Sequence, residues 1–211
     1  MRAFLSVLLV CLALTSCSDG DAPDAAPAPS GSASGSASAA SSAAPNIVLP
    51  PGPLQELVPE SADLPPGMVA ILSGSGPRDV KAIAAYSADA TKAQGLLVQH
   101  GFRNAYVGQY ADPATGRVLS VVVSRFATAA GATADLAGDL TASTGELIQA
   151  ATVGEQSQVR KQPLPSAKPP GQLVTVRFRK GVTTWLVAYG SAPQADPDVA
   201  LKVARTLAGR A

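Results

Sequence analysis

The chain reads as a single α+β domain, with an antiparallel sheet built from two hairpins and helices packed on one face. Three observations predict it. Residues 106–126 and 173–189 each carry two β-rich runs around a turn: Asp112-Pro113-Ala114-Thr115-Gly116 in the first, Lys180-Gly181 in the second. One-sided apolar stripes at helical spacing fall before, between and after them. Helix followed by antiparallel pair therefore recurs in both halves, the pattern of helices segregated to one side of a sheet. Two small ferredoxin-like units fused side by side would be the alternative arrangement.

In chain order, Met1–Cys17 reads MRAFLSVLLVCLALTSC: a positive Arg2, an apolar run, then Leu14-Thr15-Ser16-Cys17. The run falls short of the roughly 20 apolar residues that span a bilayer and suits a secretory leader. Its ending resembles the lipobox of bacterial lipoproteins. That resemblance implies removal of 1–16, a Cys17 carrying diacylglycerol, and a cell-membrane location on the extracytoplasmic face. Two or more acyl chains hold stably where one anchors only marginally. Alternating helix and hairpin units behind such a leader resemble exported actinobacterial lipoproteins, a likeness that carries over no functional residue. The chain has two cysteines, Cys11 in the leader and Cys17 at its end, so the mature domain would hold no disulfide.

Residues 17–50 are expected to be a disordered Ala/Ser/Gly/Pro linker, because their composition buries too little surface to offset the entropy of ordering it. The globular domain is expected over 51–211. Its proline-rich start, 51–66, reads as extended with one short turn. Residues 68–72 read as a short buried strand, and 77–86 as a helix with Pro77 in its first turn. A second helix covers 88–100, capped by Ser87 or Asp89, with Ala93, Leu96, Leu97 and His100 on one stripe and Gly101 closing it. Strands follow at 106–110 and 118–126. Residues 118–123 are apolar on both parities, which reads as a strand covered on both faces.

Thr128 caps a helix through Ser143, with Ala129, Ala132, Leu136 and Leu140 inward. Gly131 and Gly138 would lie near one face, compensated by close packing on the sheet. Residues 145–153 are ambiguous and are assigned to no element. Pairing of 173–180 with 182–189 across a tight turn puts Val174, Val176, Phe178, Trp185, Val187 and Tyr189 on one core face. Arg177 and Arg179 then point the other way, beside Thr184. The last helix starts at the Asp196 cap with Pro197 next and ends at Gly209, its stripe being Ala200, Val203, Ala204 and Leu207.

Chemistry is thinly represented. Lys+Arg 16 against Asp+Glu 15 gives no basic bias toward nucleic acid. The loop after residue 72 lacks the third glycine of a dinucleotide fingerprint and the lysine of a phosphate loop. Gly31-Ser32-Ala33-Ser34-Gly35 matches a hydrolase elbow only within low-complexity sequence. No metal, cofactor or catalytic spacing stands out. His100, the sole histidine, sits in a last helical turn, and Asp135 and Asp139 share a helix face that reads as exposed surface.

One local feature carries a binding meaning. Residues 156–195 contain no acid but six bases, among them Arg160, Lys161, Arg177 and Arg179. Planar guanidinium forks suit phosphate recognition, so these four are the candidate anion-binding residues. The expected role is a non-catalytic binding, sensing or scaffolding module at the cell envelope. Its expected partners are the membrane through Cys17, and cell-wall polymer, anionic lipid or an envelope protein through the domain. A carrier of lipid or another apolar ligand and a carboxylate-based envelope hydrolase are the alternatives. The first requires a cavity of several hundred Å³, the second two converging acids with shifted pKa.

Overall fold

The structure is a computed structural model that describes residues 48–142, 144–164 and 169–211. The leader, Cys17 and the linker up to residue 47 lie outside the described residues, as do Ser143 and Lys168. Twelve helices and strands follow in the order β1 (Val69–Ala70), β2 (Gly76–Arg78), α1 (Val80–Ala84), α2 (Ala90–Gln99), β3 (Phe102–Asp112), β4 (Arg117–Phe126), α3 (Ala129–Ala142), β5 (Glu146–Ile148), β6 (Gln156–Leu164), β7 (Gly171–Lys180), β8 (Thr183–Ser191) and α4 (Pro197–Arg210). Three 3-10 turns intervene, at Gln55–Leu57, Ser61–Asp63 and Leu72–Gly74.

All eight strands join one antiparallel sheet in the order β1-β3-β4-β8-β7-β6-β5, with β2 also on β3. The two expected hairpins, β3–β4 and β7–β8, sit side by side at its centre, because β4 pairs β8. Val174, Val176, Phe178, Trp185, Val187 and Tyr189 are all buried on one face, as their alternation requires. Phe178 and Trp185 stack there with ring centroids 4.9 Å apart. Helix α4 covers this face through Ala200, Leu201, Val203, Ala204 and Leu207. Asp196 accepts from the Asp198 amide and Pro197 stands first in the helix, but Gly209 lies inside α4 rather than closing it.

The helices do not share one face, contrary to the expectation. Asp139 of α3 pairs with Arg177, and Asp135 of α3 bonds Thr184; both partners project opposite to Phe178 and Trp185. Helix α3 therefore lies on the second face. There α1, α2 and α3 enclose a smaller core of Ala84, Leu97, Phe126 and Ala132, with Phe102 set edge-on to Phe126. The apolar parity on both sides of 118–123 is the physical reason: Leu119, Val121 and Val123 face α4's side, and Val122 faces the other.

Smaller differences have local causes. The strand expected at 68–72 is only two residues long, and Pro77 and Arg78 pair with β3 instead of opening a helix. Helix α1 begins only after Asp79, whose carboxylate accepts from the Ala82 amide. On the stripe of α2, Leu97 is buried but Leu96 is 42% exposed. On α3, Ala132 and Leu136 are buried whereas Ala129 is exposed, and the side chain of Leu140 is outside the described residues. Residues 146–148 form β5 on the edge of β6.

The largest departure is the N-terminal segment 49–64. Expected as the end of the linker to residue 50 and then an extended start of the domain with one short turn, it carries two 3-10 turns and straps across the main core, burying Leu49, Leu54, Leu57 and Val58. Three core aromatics fasten it by their polar tips. Tyr106 donates to the Pro50 carbonyl at 2.5 Å, Tyr110 to Pro59 at 2.7 Å and Trp185 to Leu57 at 3.2 Å. Arg210, at the end of α4, reaches the same strap through the Val58 carbonyl and Asp63.

Candidate functional site

Cys17 is outside the described residues, so the geometry concerns the four candidate anion-binding residues and the carboxylates around them. Strand parity divides the four. Arg160 is registered with Thr175, which shares the face of Arg177 and Arg179; Lys161 is registered with Val174 and belongs to the opposite, α4-covered face. Three arginines thus share the second face of β6 and β7.

Each guanidinium there already has partners. Arg177 is ion-paired to Asp139, and Arg179 holds Glu155 at 2.6 Å and the Gly181 carbonyl at 2.9 Å. The arginine side chains are 13% and 14% exposed, their carboxylate partners 52% and 48%, so exposed acids cap mostly buried bases. Glu155 is held below the usual carboxylate range, first by the Gly181 amide that donates to it and with help from Arg179. Arg160 differs: it donates to the Gly145 carbonyl at 2.8 Å and the Gln158 side chain at 2.6 Å, both neutral acceptors.

A second cluster lies where α2, α3 and the sheet meet. His100 caps the C-terminal end of α2 and brings its Nδ1 to 3.9 Å from Asp135. That nitrogen is buried and has no hydrogen-bond partner among the described residues. Asp135 is not the exposed helix residue expected from its sequence. Its carboxyl is only 20% exposed, and burial pushes its pKa up to about 7; Asp139 adds to the rise, while Arg177 and the hydrogen bond with Thr184 oppose it. The backbone makes the approach of the two helices possible: a Cβ on Gly131 would stand 1.9 Å from the His100 carbonyl oxygen. Gly131 thus packs against α2, not against the sheet, while Gly138 faces open space.

Beside this cluster runs an open depression of ≈ 490 Å³, lined by His100, Gly101, Ala127, Ala130, Gly131 and Ala134 among others. A smaller one of ≈ 190 Å³ lies along β5 and β6. The space between α4 and the sheet is filled by side chains less than 2% exposed, including Tyr106, Phe178, Leu119 and Leu207. Of the other acids, Asp112 is buried in a turn, where the Thr115 hydroxyl and then Arg117 hold it down at about 2. That arrangement braces the β3–β4 hairpin and the Pro66 carbonyl, which Arg117 reaches at 2.7 Å. Among the described residues, no three His, Cys, Asp or Glu side chains are placed to hold a metal ion, and no helix is long and apolar enough to cross a membrane.

No protein-family model matches the chain, and no curated protein does. Among solved structures it is similar to the extracellular domain of PknH from Mycobacterium tuberculosis, at 11% identity and a TM-score of 0.39, over 72% of this chain and 93% of that one. A likeness at that score carries no functional argument.

Sequence reasoning placed Arg177 and Arg179 on one face beside Thr184 but missed Asp139 and Glu155 as their partners. It also left His100 without a partner. Helix α3 gave a usable signal, since Asp135 lies three residues after the core residue Ala132 and so beside it on the helix surface.

Proposed function

We propose that the chain is a lipid-anchored extracytoplasmic lipoprotein whose domain is a non-catalytic binding module at the cell envelope. The observation that carries this reading is the sequence at its start. Leu14-Thr15-Ser16-Cys17 follows an apolar run of secretory length, and some thirty small and polar residues separate it from the strap at residue 49. Diacylglycerol on the Cys17 thiol would supply the anchor, and the linker would hold the domain off the bilayer. Both cysteines lie in the first seventeen residues, so the domain can fold without thiol chemistry outside the cytoplasm.

The binding surface in this reading is the arginine face of β6 and β7. Among the described residues Arg160 has neutral partners, and the half-exposed Asp139 and Glu155 are the groups an anionic polymer or headgroup would displace from Arg177 and Arg179. Lys161 contributes charge from the other side of β6.

Palmitate labelling with membrane fractionation tests the anchor. The wild type should be labelled and sediment with membranes, and Cys17→Ala should lose both properties. Label retained in Cys17→Ala, or absent from the wild type, would refute the proposal.

A further inference from the structure

We infer that α3 is a proton-responsive cover of the sheet, seated most tightly when the carboxyl of Asp135 carries a proton. Among the described side chains of this helix only Ala132 and Leu136 are buried, and polar contacts of Asp135 and Asp139 add to them. Two carboxylates one helical turn apart, Asp135 and Asp139, are directed at a single arginine of β7, and that arginine is paired with Asp139. Asp135 is left with the Thr184 hydroxyl of β8 and with His100 of α2 at 3.9 Å. Strand β4 contributes no charge here; its residue in register with Thr184 is Ser124, 8% exposed.

The sign follows from these surroundings. Ionised Asp135 is disfavoured by burial and by the neighbouring Asp139 charge, so its pKa stands at about 7 in the seated helix. With α3 released, the carboxyl returns to water and to the ordinary value near 4. The seated form binds the extra proton, so seating is tightest below about pH 4. It weakens by up to about tenfold per pH unit between the two values and is level above the upper one. A protonated His100 opposes the trend, because its charge favours the ionised carboxylate; Thr184 opposes it by donating to that carboxylate. Release would uncover Val122 and Leu186, which lie in one register row with Arg177, and would free that arginine from Asp139.

Amide hydrogen exchange of α3 in the full chain between pH 4.5 and 7.5, corrected for intrinsic exchange rates, reads this directly, with Asp135→Asn as the reference. Protection of α3 should fall about a hundredfold more across the range in the wild type than in Asp135→Asn. An equal pH dependence of α3 protection in the two proteins overturns the inference. Carboxyl NMR of the wild type gives an answer independent of how the variant folds. An Asp135 titration midpoint within a unit of 7 supports the device; a midpoint near 4 overturns it.

Discussion

Leu54 offers a sharp test of the strap. It is 1% exposed in the main core, yet its backbone is left-handed, with φ 68°. Leu54→Ala removes a fully buried side chain and leaves the strained backbone in place. Such truncations cost about 2–5 kcal/mol, set by how far the cavity collapses. For a domain of this size about 1 kcal/mol moves Tm by roughly 2–4 °C, so a fall of about 4–20 °C is expected. Glycine accepts a positive φ without the Cβ penalty, so Leu54→Gly should be no less stable than Leu54→Ala, the reverse of the usual order. Urea unfolding followed by fluorescence of Trp185 suits the measurement, because the only tryptophan donates to the strap at Leu57. Val48→Ala, at a side chain 75% exposed, is the control and should shift stability by less than about 0.5 kcal/mol. If Leu54→Ala also stayed within that margin, the strap would not be part of the core. If Leu54→Gly were clearly the weaker of the two, the left-handed backbone would be wrong.

Further expectations follow from individual contacts. Gly131→Ala should lower Tm and perturb both α2 and α3, since its Cβ meets the His100 carbonyl at 1.9 Å; Gly138→Ala, facing open space, should gain about 0.5–1 kcal/mol of stability by thermal melting. Tyr110→Phe leaves the buried Pro59 carbonyl without its donor and should cost about 1–3 kcal/mol in urea unfolding. Asp112 has a folded pKa of about 2 against 3.8 for the ordinary group, so its contribution is complete above about pH 4 and is lost as pH falls through 2. Arg117→Gln should flatten that acid limb in Tm measured from pH 2 to 5.

The hairpins were legible because strand parity and a tight turn together fix which side chains face the core. Lys180 pairs with Thr183 across Gly181-Val182, one residue later than the expected Lys180-Gly181 turn; that moves the register by two residues, so Val174 to Tyr189 keep their faces. Local rules equally fixed the Asp196 cap and narrowed the cap of α2 to Ser87 or Asp89, of which Asp89 accepts from the Lys92 amide. They missed the Asp79 cap of α1, because Pro77 reads as the first helical turn. The assignment of all helices to one face failed because it came from the order of elements, while the parity of 118–123 already pointed to two covered faces. The strap was hidden by its prolines, although aromatic polar tips destined for a core face need acceptors, and Tyr106, Tyr110 and Trp185 find theirs in the strap. The meeting of His100 with Asp135 depends on how α2 packs on α3, and no periodicity in the sequence carries that. The arginine face was visible as a run without acids, but its counter-charges, Asp139 and Glu155, lie outside that run.

The contacts of the strap also set an order of events in folding. Leu57 waits for Trp185, 128 residues further on, and Val58 waits for Arg210, 152 residues further on. The first core residues to be synthesised are therefore completed by the last helix. Until α4 exists, the apolar side of the strap has no partner there, and the closing loop spans nearly the whole domain. Slow non-local closure is the expected kinetic signature of such a topology.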